Sequence, residues 1–275
     1  MTELVDETAA LTGQPRETVA LRFLEEVAYS GWNVRRDAER FGINPHHFDA
    51  RMAKLYEQGD GFIYETLAYW QTPARKSWTE LALNRIKLLN LANPKVLILG
   101  DGTGSDSLFF QEAGLDVTYC DFPGSRTFEF AVARFQLHHA RISVRQRSEL
   151  ASNSFDAVLS FEVLEHLTDP AAEVKEIAHY LRERGVALIT ESFSVVTPNR
   201  PTHLKSNMQF AGKLASLCAD VGLQYAWSAY NLKPIEFVKK DHSWIPVDLQ
   251  PNVWKLKTYH RFPTLWSLPT GSRIV

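Results

Sequence analysis

PKVLILGDGTGSDSLFFQEAGLDVTYCD, residues 94–121, carries the signals that decide the fold. VLIL at 96–99 is an unbroken apolar run, the pattern of a strand buried on both faces of a parallel sheet. The run breaks at Gly100 into GDGTGSD, continues as a short helical stretch that stops at Gly114, and returns to strand character in DVTYCD at 116–121. Strand, glycine turn, helix and strand in that order predict a right-handed βαβ unit, because two parallel strands need a crossover between them.

The alternation continues downstream. GSRTFEFAVARFQLHHA reads as helix, ISVRQR and DAVLSF as strands, Pro170 to Arg184 as a helix ending at Gly185, VALITESF as strand and SNMQFAGKLASLCADVG as a further helix. QYAWSAY, IEFVKK and NVWKLKTYHRF read as late strands. This order predicts an α/β fold with a doubly wound sheet and helices on both faces. Upstream, the first ninety residues read as helices. Pro15 opens one that carries Val19, Phe23 and Val27 and stops at Gly31; Asn44 and Pro45 open a second; the capping box Ser77 to Glu80 opens a third. The expected organisation is a helical cap over residues 1–90 and a catalytic domain over residues 91–275.

A chain of 275 residues, 45% hydrophobic and 23% charged, has the composition of a globular protein and excludes the collagen-like and disordered classes. No stretch approaches the ~18 uninterrupted apolar residues of a spanning helix. The acidic start and the lack of a cysteine framework (Cys120 and Cys218 are the two present) lead to an expected cytoplasmic location. Charge is uneven: residues 91–198 carry 9 basic and 15 acidic groups and residues 199–275 carry 10 and 4, a balance of -6 followed by +6. A basic tail beside an acidic middle marks either unrelated solvated faces or an anionic acceptor next to a cationic ligand.

Ligands of doubly wound sheets bind beyond the carboxyl ends of the strands, at the point where strand order reverses. Gly100, Gly102 and Gly104 occupy that turn and let a ligand approach the backbone. The dinucleotide fingerprint would place its third glycine where Ser105 stands, which argues against a nicotinamide cofactor. Asp121 ends the second strand, where a carboxylate can accept both hydroxyls of a ribose or can simply start the D-F-P-G turn.

VLILGDGTG, VTYCD, NSFDAVLSFEVLEHLTDP and ALITESF together resemble the class I S-adenosylmethionine-dependent methyltransferases, in the group that includes quinone and other small-molecule methyltransferases. The resemblance covers residues 94–225. It implies a Rossmann-like, seven-stranded, mostly parallel sheet and S-adenosyl-L-methionine as cofactor. By position it implies Gly100, Asp101, Gly102, Thr103 and Gly104 against the methionine part, Asp121 and Phe122 at the ribose, and Ser148 or Glu149 by the adenine. Glu162 would face the cleft where methyl transfer occurs. Two positions depart from the family pattern. Ile98 stands where an acid usually anchors the ammonium group, with Asp101 or Asp106 as substitutes, and Arg147, Ser148 and Glu149 stand where an Asp usually follows the third strand.

Methyl transfer is an in-line displacement, so much of the catalysis is positioning. A hydroxyl acceptor also needs its proton removed, and His166 or His203 is a candidate general base beside Glu162. Glu162, Glu165 and His166 form E-x-x-E-H, a set that with a later histidine holds a divalent metal in some RNA 3′-end methyltransferases but also resembles metal-free relatives; no metal is expected. Tyr64 and Trp70 are candidate acceptor-lining residues in the aromatic stretch GFIYETLAYWQT, packing being the alternative. Lys239, Lys240, Lys255, Lys257 and Arg261 interleave with Trp244, Trp254, Tyr259 and Phe262, but in a slightly acidic chain nucleic acid is not the expected partner. The function expected is O-methylation of a small or medium organic acceptor. Methylation of a peptide, protein or RNA end and a non-catalytic cofactor-binding relative are the alternatives.

Overall fold

The computed structural model of the protein describes residues 2–229 and 233–240. β1 (Lys95–Leu99) forms on the apolar run and its side chains alternate between two cores. Val96 and Ile98 join Val117, Ala157, Leu159 and Leu188 on one face; Leu97 and Leu99 join Val158, Ala187 and Ile189 on the other. With both faces covered, the strand has no polar side to show in its sequence.

The other strands are β2 (Asp116–Cys120), β3 (Ser143–Val144), β4 (Phe155–Phe161), β5 (Leu181–Thr190), β6 (Leu223–Ser228) and β7 (Ile235–Lys239). Their order is β3-β2-β1-β4-β5-β7-β6, the seven-stranded sheet expected. β3, β2, β1, β4 and β5 run parallel, and β7 runs antiparallel to both β5 and β6. The reversal of strand order lies between β1 and β4, so a crevice opens beyond Leu99 and Phe161.

Ahead of the sheet lie α1 (Thr2–Thr12), α2 (Arg16–Ala28), α3 (Trp32–Arg40), α4 (Ala50–Gln58), α5 (Gly61–Trp70) and α6 (Pro73–Lys87); α7 (Ser105–Glu112), α8 (Arg126–Leu137), α9 (Pro170–Tyr180) and α10 (Leu214–Asp220) connect the strands. Ala82 and Ile86 of α6 and Phe110 of α7 cover one sheet face; Val174, Ile177 and Ala178 of α9, with Leu214 and Cys218 of α10, cover the other. Each large side chain among them contributes about 1.5–3 kcal/mol. Val19, Phe23, Ile63, Tyr64 and Leu67 of the preceding helices share a cluster with Phe130 of α8. Ala38, Met52 and Leu55 pack with Leu204 from the loop after β5. The N-terminal helices are thereby tied to both sides of the crevice.

Several boundaries differ from the sequence reading. The second cap helix starts with Asp49 as N-cap, its side chain accepting from the Arg51 and Met52 N–H groups, rather than at Asn44 and Pro45. α6 starts four residues before Ser77 because Thr72 caps it and Pro73 fills its first position; Ser77 instead donates to the Ala74 carbonyl. The helix after Pro170 ends at Tyr180, since Leu181 pairs with Phe155 and begins β5. The stretch from Ser206 divides into a 3₁₀ segment over Lys205–Phe210 and α10. NVWKLKTYHRF, with Trp244, Trp254, Lys255, Lys257, Tyr259, Arg261 and Phe262, lies outside the described residues. Among the described residues no helix is long and apolar enough to cross a membrane.

Candidate active site

The crevice holds a cavity of about 590 Å³, lined by the glycine turn, the ends of β1 and β4, the loop after β5, and side chains of α5 and α6. That volume is within the range of small-molecule sites, about 300–1,000 Å³.

The glycine turn is built for left-handed backbone. Gly100 has φ +69°, and a Cβ there would come within 2.5 Å of Val163; Gly104 has φ +76°, and its Cβ would lie 2.4 Å from the Phe135 ring. Asp101 points back into α7, accepting from the N–H groups of Asp106 (3.1 Å) and Ser107 (2.7 Å) and from the Ser107 hydroxyl. Burial, and then the neighbouring Asp106, push its pKa up to about 7. Asp121 accepts from the Gly102 N–H at 2.7 Å and from the Phe122 N–H at 2.6 Å, with burial raising its pKa. Tyr119 donates to the Gly102 carbonyl. From α8, Arg134 donates to the Thr103 carbonyl and the Ser105 hydroxyl while pairing with Glu7. Arg134 therefore clamps the turn to α8 and to the N-terminal helix.

Asp106 is fixed by three partners. Its carboxylate pairs with Arg75 and accepts from the Thr79 hydroxyl at 2.6 Å and from the Trp70 indole N–H at 3.2 Å. Asp106 and Asp101 are thus both engaged within the protein, and Ile98 joins them in lining the cavity.

On the other wall, Glu162 has φ +56° and donates its N–H to Thr190. Its carboxylate accepts from Lys233 at 2.8 Å and from the Ser192 hydroxyl. Burial works to raise its pKa, but the Lys233 charge and these hydrogen bonds prevail and hold it at about 2. Glu191 next along is pushed up to about 7 by burial. Arg200 pairs with Glu65 and donates to Ser30. The cations facing the cavity, Arg75, Arg200 and Lys233, therefore each meet a carboxylate.

His166 and His203 meet edge to face, with ring centroids 4.8 Å apart. Burial lowers the His166 pKa to about 4 and lowers that of His203 as well, His166 and Arg200 adding to the effect there. Both rings are neutral at physiological pH. A group held near 4 is a weak acceptor for a hydroxyl proton, because general-base catalysis is best when the pKa approaches the working pH. Glu165 lines the same wall at 1% exposure, and burial followed by the charge of Glu162 puts its pKa well above the usual carboxylate range.

Of the residues singled out from the sequence, Gly100, Asp101, Thr103, Glu162, His166, His203 and Trp70 line the cavity. Gly102, Gly104, Asp121 and Phe122 lie in the turn or at the end of β2 beside it. Phe122 is linked to the cavity by a chain of rings: it meets Tyr56 edge-on at 6.3 Å, Tyr56 stacks on Phe62 at 5.1 Å, and Phe62 meets His166 edge-on. Ser148 and Glu149 form an exposed 3₁₀ turn after β3, where the Glu149 carboxylate is taken by the Gln146 N–H. Tyr64 is fully buried away from the cavity, under the Arg22 guanidinium and donating to Gln14; Tyr69, five residues on, faces the cavity instead. The sequence reading missed Thr66, Arg75, Trp78, Arg200 and Lys233. Only the helical spacing of Thr66, Tyr69 and Trp70 could have singled out a common face.

A family model described as a methyltransferase domain matches residues 73–237. The ubiquinone biosynthesis O-methyltransferase of Xylella fastidiosa is 31% identical over 156 residues, which span 51% of this chain and 61% of that protein. A protein of Mycobacterium tuberculosis named a probable S-adenosylmethionine-dependent methyltransferase is 33% identical over 104 residues, 34% of this chain and 37% of its own. The chain thus spans between about one third and three fifths of the length of these curated relatives. Among solved structures, the CurJ carbon methyltransferase has a TM-score of 0.53 at 14% identity, covering 86% of this chain and 70% of the other. The DszA carbon methyltransferase has a TM-score of 0.52 at 13% identity, covering 82% and 70%. These likenesses show the fold.

Proposed function

Since the chain belongs to the methyltransferase-domain family, we propose that it transfers a methyl group from S-adenosyl-L-methionine to a hydroxyl oxygen of a small or medium organic acceptor. One observation carries the reading: a single cavity runs from the glycine turn, past Glu162, to a wall of Phe62, Tyr69, Trp70, Trp78, His166 and His203. The turn suits the donor, because glycine lets it take up a left-handed backbone packed closely on Val163 and Phe135 at the mouth of the cavity, and Asp121 presents a carboxylate beside it. Gly100, Asp101 and Thr103 would hold the methionine part and Asp121 the ribose.

Bound there, the donor would supply an electrophilic methyl on a sulfonium, leaving as a neutral thioether, and the acceptor hydroxyl would release its proton to solvent as its oxygen takes the methyl. The residues hold the partners in line. The Arg134 clamp and the Asp106 network fix one side, and the Glu162, Ser192 and Lys233 group fixes the other. Holding reactants in such a geometry can supply about 7–11 kcal/mol of the barrier. The rings of Phe62, Tyr69, Trp70 and Trp78 exclude water and favour a flat, largely apolar acceptor. With Arg75, Arg200 and Lys233 already paired, the described cavity favours an acceptor without net charge over an anionic one. The curated Xylella relative, named an O-methyltransferase, supports oxygen as the acceptor atom. The test is transfer of labelled methyl to a panel of phenols, carboxylates and amines. Labelling confined to phenols is expected, and labelling confined to amines would overturn the choice of oxygen.

A further inference from the structure

Arg134 of α8 joins two elements that lie far apart in the chain. Its Nε donates to Glu7 of α1 at 2.7 Å, and its Nη1 donates to the Ser105 hydroxyl at 2.8 Å and to the Thr103 carbonyl at 3.3 Å. The pair is largely shielded from water, the Arg134 side chain being 11% exposed and that of Glu7 15%. His138 Nε2 lies 2.8 Å from the same Glu7 oxygen. Burial works against the charge on Glu7, but Arg134 and His138 prevail and hold its pKa below the usual carboxylate range. Thr103 is fully buried and lines the cavity, whereas neither Glu7 nor Arg134 does.

Packing follows the same line. The turn rests on α8, since a Cβ at Gly104 would lie 2.4 Å from the Phe135 ring and 3.3 Å from Ala131. Phe130 of α8 clusters with Leu4 and Val5 of α1. At 11 residues α1 is too short to hold a helix alone, so its form depends on this docking. The exposed contact between Asp6 and Arg16 adds little to it. Glu7 is thus the polar link between α1 and α8. Without it, Arg134 loses the partner that fixes its long, rotamer-rich side chain, and with that the aim of Nη1 at the turn.

We propose that Glu7 is a positioning residue for donor binding: by holding Arg134 on the turn from Thr103 to Ser105, it couples the docking of α1 to the affinity for S-adenosyl-L-methionine. The ligand in this coupling is the one proposed above, and the link itself stands on the Glu7, Arg134 and turn geometry. Glu7 acts at a distance, through Arg134, and touches neither donor nor acceptor. Linkage makes the effect reciprocal. If docked α1 raises donor affinity by some factor, bound donor must favour docked α1 by the same factor.

The test pairs calorimetry with amide hydrogen exchange on the full chain, using S-adenosylhomocysteine as the ligand. Glu7→Ala should weaken its binding about 5- to 20-fold. In wild type, saturating ligand should slow exchange of the α1 amides by a comparable factor, and in Glu7→Ala it should not. Exchanging the charges, Glu7→Arg with Arg134→Glu, restores an ion pair between the helices, but a carboxylate cannot donate to the Thr103 carbonyl. The exchanged chain should therefore bind no better than Glu7→Ala, and recovery of wild-type affinity would mark Glu7 as structural only and overturn the proposal. Wild-type binding with unchanged affinity in Glu7→Ala, or with α1 exchange that ligand does not slow, overturns the coupling and leaves the donor reading standing. No binding by wild type overturns the donor reading itself, and the coupling with it. The exchange measurement on wild type decides the matter even where Glu7→Ala does not fold.

Discussion

Removing one partner of the Arg75 and Asp106 pair should cost more than removing both charges together. The side chains are 9% and 2% exposed, and Asp106 is also the acceptor for Thr79 and Trp70. In Asp106→Asn the amide keeps the volume and can still accept from Thr79, but the guanidinium, which does not give up its proton, is left buried without a counter-charge. Breaking a buried pair in this way costs about 3–5 kcal/mol. Arg75→Met leaves the carboxylate in the same position, although that group can relieve part of the cost by taking up a proton. The double variant removes both charges and keeps the packing, so it should be no less stable than either single variant, a coupling of at least about 3 kcal/mol. With a urea slope of roughly 3 kcal/mol per molar, each single variant shifts the midpoint down by about 1–1.5 M. Urea unfolding followed by circular dichroism reads all four proteins. Single-variant costs below about 1 kcal/mol, or a double variant equal to the sum of the singles, would refute the reasoning.

Other outcomes follow from the same geometry. Asp121→Ala removes charge-assisted hydrogen bonds worth about 1.5–3 kcal/mol and should weaken S-adenosylhomocysteine roughly 10- to 100-fold in calorimetry; unchanged affinity would remove the ribose assignment. Gly104→Ala forces a left-handed alanine against Phe135, about 2–4 kcal/mol in all, and should lower the melting temperature, with partial recovery when Phe135→Leu is added. The His166 ring, lowered to about 4, favours folding while neutral: its contribution is complete above its unfolded pKa of about 6.5 and is lost as pH falls toward 4. Wild type should therefore lose up to about 3 kcal/mol relative to His166→Asn between pH 7 and pH 4, and a pH-independent difference in urea unfolding would contradict this. Trp70→Ala opens the aromatic wall and should raise the acceptor KM more than the donor KM in steady-state kinetics.

The sheet could be read from the sequence because strands buried on both faces, such as VLIL and DAVLSF, are continuous apolar runs closed by turn residues. Gly100 and Gly104 were legible for the same reason: the left-handed backbone they adopt is the one that glycine tolerates best. Helix starts were harder to read. Thr72 with Pro73 competed with the capping box at Ser77, and Asp49 competed with Asn44 and Pro45; local signals of similar strength were decided by tertiary packing. The partners of the site were not legible at all. Arg75 reaches Asp106 across 31 positions and Lys233 reaches Glu162 across 71, distances at which no periodicity survives. Tyr64 and Tyr69 differ by five residues on one helix, enough to turn one into the core and the other toward the cavity.

The charge asymmetry resolves in part. In the acidic middle segment, Asp101, Asp106, Glu162 and Glu165 do converge on the cavity. Within the tail, Arg200 and Lys233 reach it and are met there by Glu65 and Glu162, so their charge balances the site rather than standing open to an anionic acceptor.

Isothermal titration calorimetry of the purified chain with S-adenosylhomocysteine, run beside a nicotinamide dinucleotide, tests the central claim most directly. The account predicts saturable binding of about one S-adenosylhomocysteine per chain, weakened by Asp121→Ala, and no binding of the dinucleotide. Binding of the dinucleotide with no heat from S-adenosylhomocysteine or S-adenosylmethionine would contradict it.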